Sequence, residues 1–198
     1  MISVPVAIVD FIPVILFCIA AVILQRGLYY RMSKGAYALL AAGTIMIVIA
    51  GLFKAIWKLL LALDVCDFDR LNKSFFPMQS VGFLLAGMAL MAMVFVKQEG
   101  HSEDRIAAVV FAGTWIFIPL MILGLLGMCI GLSVEAKRRK KTPAVVMFII
   151  ACVFMLMMGY LSSRSFEKES MNWIAECVNI AGCSAFLMGS RILTKEKR

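Results

Sequence analysis

The chain has 198 residues, 63% of them hydrophobic, with a mean hydropathy of +0.95 and a formal net charge of +8. A soluble domain is nearer half apolar. The excess lies in long continuous runs without the alternation of barrel strands, which excludes a water-soluble fold and predicts an all-α polytopic membrane protein. The basic balance does not imply nucleic acid, because no aromatic-basic platform accompanies it and loops beside anionic headgroups account for it.

Six apolar runs predict a bundle of six transmembrane helices, with 1–198 as a single integral membrane domain. The first covers residues 4–24 and ends at Gln25, Arg26 and Gly27. No basic segment precedes it and no small-residue cleavage site follows, so it reads as an uncleaved span. The second, 36–63, is too long for a simple crossing. Its last turns carry Lys54, Trp57 and Lys58, expected to reach a headgroup layer together. The third covers 75–96, the fourth 106–132, the fifth 144–161 after Pro143, and the sixth 171–193.

Lys and Arg set the expected orientation. With both termini in the cytoplasm, thirteen of the twenty basic residues fall inside, including Lys54, Lys58, Arg70, Lys73 and the dense run 137–141. Arg26, Arg31 and Lys34 then face outward. The plasma membrane is the expected location. Phe11-Ile12-Pro13 recurs as Phe117-Ile118-Pro119, and Gln79-Ser80-Val81-Gly82-Phe83 aligns with Glu176-Cys177-Val178-Asn179-Ile180. These matches suggest two three-helix repeats, 4–96 and 106–193, and an odd number of spans would make them inverted.

The sharpest candidate site is on the sixth run. Asn172, Glu176, Asn179, Cys183 and Ser190 recur at steps that place them on one helix side. An ionised Glu is costly against lipid, so the stripe should face the bundle interior or a water-filled cavity. Trp173, Ile174, Ile180 and Leu187 are left for lipid. Glu176 and Asn179 then either line a site for a cation, a proton or a polar solute, or clamp a neighbouring helix through Gln79 or Trp115. Asp10, three residues before Pro13, is a second carboxylate within an apolar run. Proline frees a backbone carbonyl there that could join it around a cation, while an interfacial position is the plainer account.

Gly82, Ala86, Gly124, Gly127 and Gly131 suit close helix packing. Asp64, Asp67 and Asp69 lack the glycine and glutamate of a calcium loop and suit capping and pairing with Arg70 and Lys73. Lys137, Arg138, Arg139, Lys140 and Lys141 set orientation and offer contact to anionic lipid or an acidic partner. His101 is the single histidine, and the six cysteines form no C-x-x-C pair, so no metal site or cofactor is expected. No catalytic motif is visible. The expected function is a small transporter or channel for a solute or ion, whose site the sixth helix lines through Glu176, Asn179, Gln79 and Asp10. The alternative is a non-transporting regulatory or sensor subunit that binds a protein or lipid. Partners beyond the bilayer are then a small solute or ion, a second copy, or another membrane protein.

Overall fold

A computed structural model of the chain describes residues 3–95, 114–162 and 169–195. Every regular element among them is helical: α1 (Val4–Val9), α2 (Phe11–Leu28) with a 3₁₀ turn (Tyr29–Arg31), α3 (Lys34–Ala62), α4 (Asp69–Phe95), α5 (Thr114–Arg138), α6 (Thr142–Ser162) and α7 (Glu169–Thr194). Six stretches are long and apolar enough to cross a membrane, α1 and α2 together forming the first. The protein is therefore an all-α integral membrane protein. His101 and the start of the predicted fourth run lie outside the described residues.

Local chemistry fixes the helix ends. The Ser33 hydroxyl accepts from the Ala36 N–H at 3.2 Å and caps α3. Pro143 stands in the first turn of α6, where its missing N–H costs nothing. α3 and α5 end alike. Val65 N–H donates to the Leu60 carbonyl and Asp64 N–H to Leu61; Lys141 N–H donates to Ala136 and Lys140 N–H to Lys137. Asp64 (φ 54°) and Lys140 (φ 57°) hold the left-handed residue of these two caps.

The helices close into a ring: α2 packs on α3, α3 on α4, α4 on α5, α5 on α6, α6 on α7, and α7 back on α2. Phe17 of α2 stacks on Phe186 of α7 at 5.4 Å and meets Phe83 of α4 edge-on, while Phe148 of α6 closes on Phe186. The outward faces carry large apolar side chains as well. On the first span Ile8, Ile12, Ile15, Ile19 and Val22 are exposed at helical spacing, a stripe suited to acyl chains.

Helix direction departs from the sequence expectation. Gly124 of α5 lies against Phe83 and Leu84 of α4, Gly131 against Leu90, and Arg138 Nη2 donates to the Val94 carbonyl at 2.8 Å. Residue numbers rise together, so α4 and α5 are parallel neighbours. Likewise Gly27 of α2 lies against Thr194 of α7, and Lys58 joins Asp10 to Glu176, so α2 and α7 are parallel. α3 and α6 run the other way: Gly43 of α3 meets Gly82 and Ala86 of α4, and Gly189 of α7 meets Phe148 of α6.

Two expectations are thereby corrected. The start of α1 and the end of α7 lie at opposite ends of the bundle, against the expectation that the first and last spans begin and end on one side. The halves α2–α4 and α5–α7 also run in the same sense, which an inverted repeat forbids. Any repeat relating them turns about an axis along the bundle. The expectation failed because it reversed direction from each apolar run to the next, whereas α4 and α5 run in the same sense.

Candidate functional site

At the end where α1 begins, the ring encloses a cavity of about 120 Å³. One water needs roughly 10–15 Å³ of such space, so a few waters or a small solute fit. Every spanning helix contributes to its wall, including Asp10, Pro13 and Phe17 from the first span, Lys54 from α3, Gln79 and Phe83 from α4, Met121 from α5, Met155 from α6, and Asn179 and Cys183 from α7. Four prolines stand in this half of the bundle: Pro5 in the first turn of α1, then Pro13, Pro77 and Pro119. Pro77 and Pro119 lie inside their helices and each removes a helical hydrogen bond, a feature tolerated at membrane depth where protein or a wet cavity satisfies the freed carbonyl.

Beside the cavity lies a buried ion cluster. The Lys58 ammonium is 2.7 Å from Glu176 Oε1 and 3.0 Å from Asp10 Oδ2. The side chains are only 13%, 1% and 9% exposed for Lys58, Glu176 and Asp10, so the first span, α3 and α7 are tied together by charges withdrawn from water. Withdrawing an ion costs several kcal/mol, and only close pairing offsets it. Asp10 reaches Lys58 because it sits at the joint between α1 and α2. Glu176 Oε2 is buried without a hydrogen-bond partner.

Lys54 lies one turn earlier on α3. Its ammonium stands 4.3 Å from the centroid of the Phe75 ring, with no carboxylate in pairing distance among the described residues. The expectation that Lys54 and Lys58 snorkel outward is therefore wrong. Five apolar residues, 59–63, follow Lys58 before the chain turns, which sets both lysines below the end of the helix. That continuation was the available signal. Trp57, between them, donates instead to Asp67 Oδ1 at 2.9 Å.

Of the expected site residues, Glu176 and Asp10 meet through Lys58, and Asn179 and Gln79 share the cavity wall with Asp10. Gln79 is not the partner of Glu176, and a lysine occupies the place between the carboxylates that a bound cation would take. Glu176, Cys183 and Ser190 are buried as the stripe required, while Trp173 and Ile174 are exposed. Leu187 is buried, contrary to its assignment to lipid, because α7 packs on both α2 and α6.

The basic run lies at the opposite end, where its side chains cap helices. Arg138 donates to the Val94 carbonyl at the end of α4. Arg139 and Lys141 donate to the Leu193 carbonyl at 3.2 and 3.0 Å, and Lys141 reaches Lys195 as well. These cations meet the negative ends of α4 and α7. Lys137 and Lys140 remain exposed. A buried carboxylate that sequence reasoning missed, Glu135 (4% exposed), binds Arg31 at 3.0 Å and Arg139 at 2.7 Å. Its position one turn before Arg139 of the basic run was the only signal. No protein-family model, no curated protein and no solved structure matches the chain.

Proposed function

We propose that the protein is a small membrane carrier that binds a solute in the six-helix cavity. The observation that carries this reading is the cavity itself, walled by all six spans, with Lys54 and Asp10 in its lining and Asp10 tied to Lys58 and Glu176 beside it. Charged groups within spans are expensive and mark solute or ion paths. Between the cavity and the far end the interior is filled by buried Leu24, Leu28, Leu132 and Leu193, which favours a carrier that changes conformation over an open channel. Orientation follows from charge. The far end carries Arg26, Arg31, Lys34, Lys137 to Lys141, Arg191 and Lys195; the cavity end carries Lys54, Lys58, Arg70 and Lys73 among the described residues. The positive-inside rule assigns the far end to the cytoplasm, so the cavity faces the opposite compartment. The test uses a chain free of native cysteine. Asn179→Cys should react with a small water-soluble maleimide, and Ile15→Cys, on the lipid face, should not. An unreactive Asn179→Cys overturns the reading.

A further inference from the structure

We propose that the cavity takes a small organic anion, a monocarboxylate with an apolar body about the size of benzoate, and that Lys54 is the residue that captures its charge. The proposal rests on the carrier reading and names its solute class. One carboxylate, Asp10, and one ammonium, Lys54, line the cavity, and Lys58 and Glu176 join Asp10 in the ion cluster beside it. Lys58 already pairs Asp10, the carboxylate of the cavity wall, at 3.0 Å, and Glu176, held at 2.7 Å, is not part of that wall, so the pocket has little left to offer a cation. Lys54 has three N–H donors and meets only the face of Phe75. Among the described residues it is the charge of the cluster without a counter-ion, and it lines the cavity.

The remaining wall fits the rest of such a molecule. Phe17, Phe76 and Phe83 with Met121, Met155 and Met158 form an apolar, polarizable surround. Gln79 and Asn179 supply amides that can donate to a second carboxylate oxygen. Helix direction adds to this. α4, α5 and α7 all begin at the cavity end, and the positive ends of their dipoles point toward that compartment.

The experiment continues with Asn179→Cys in the cysteine-free chain. Anionic sulfonatoethyl and cationic trimethylammonioethyl methanethiosulfonates are compared, each relative to its rate with a free thiol. The anionic reagent should react faster. Lys54→Met should lower the anionic-to-cationic ratio at least about tenfold, the effect of removing one nearby charge in a partly desolvated site, and Lys54→Arg should preserve it. Benzoate should slow labelling of the Lys54 chain and benzamide should not, a comparison that needs no variant at Lys54. A ratio unchanged by Lys54→Met, or protection by benzamide equal to that by benzoate, overturns the proposal. Maleimide labelling separates the two readings. If maleimide reacts while the charge preference is missing, the cavity stands and the anion proposal falls. If maleimide does not react, both fall.

Discussion

Lys58 shows how much one side chain decides here. It is one cation held between two carboxylates in the apolar interior, so its removal leaves Asp10 and Glu176 facing each other without compensation. Lys58→Met should cost about 3–5 kcal/mol, the usual penalty for stranding a buried charge. Thermal unfolding of purified protein in detergent would read this as a large fall in melting temperature. Glu176→Gln should cost less, about 1–2 kcal/mol, because Asp10 still pairs Lys58 and the amide oxygen still accepts from it. In the Lys58→Met background the same Glu176→Gln change should become stabilising, since it removes one of the stranded charges. Additive losses would show that the ion cluster is not a unit. Glu176 was marked as inward-facing in the sequence because an acid in the middle of an apolar stripe has few explanations, whereas Asp10 read more plainly as an interfacial acid and is instead buried. The lysine was misread because a basic residue near the end of a run has a cheap alternative in snorkelling. Only the depth set by residues 59–63, and the approach of Asp10 and Glu176 from distant parts of the chain, decides between the two.

At the scale of elements, span-length helices and their packing surfaces were readable from apolar runs and small residues, while helix direction was not. Gly87 and Gly124 let the backbones of α4 and α5 touch, and a Cβ on Gly124 would run into the backbone at Phe83 and Leu84. Gly124→Ala should therefore destabilise by about 1–3 kcal/mol, an overpacking cost that rotamer change cannot relieve. A melting temperature equal to that of the parent protein would refute the close approach. The two left-handed caps offer a change of opposite sign. Asp64 and Lys140 hold positive φ without being glycine, which costs roughly 1–2 kcal/mol in a residue with a Cβ. Lys140→Gly should recover up to about 1 kcal/mol, since Lys140 is exposed and the capping bonds come from its backbone and that of Lys141. A fall in stability would show that the Lys140 side chain contributes to the fold. The inverted repeat failed at this scale as well. The Phe-Ile-Pro match does fall on corresponding helices, α2 and α5, but both run the same way, and short motifs carry no sign of direction.

For the whole molecule, the separation of the two ends is the main consequence of parallel α4 and α5. It moves Arg26, Arg31 and Lys34 to the end that carries residues 137–141 and Arg191, where counting spans had set them apart. The result agrees better with the physics of insertion. The basic residues gather at one end, and several of them meet helix C-termini there. The other end holds helix N-termini, the ion cluster and the cavity. The prediction is that the turn after α5 is cytoplasmic and the turn after α3 is not. Lys140 and Val65 are exposed residues of those turns and serve as single-cysteine positions. In intact cells an impermeant maleimide should label Val65→Cys and leave Lys140→Cys unlabelled until the membrane is opened. The arrangement with both termini in the cytoplasm predicts protection of both positions, because it places both turns inside. The two topologies thus differ at Val65. Labelling there before permeabilisation, with Lys140→Cys protected, selects the parallel arrangement, and protection of both positions would refute it.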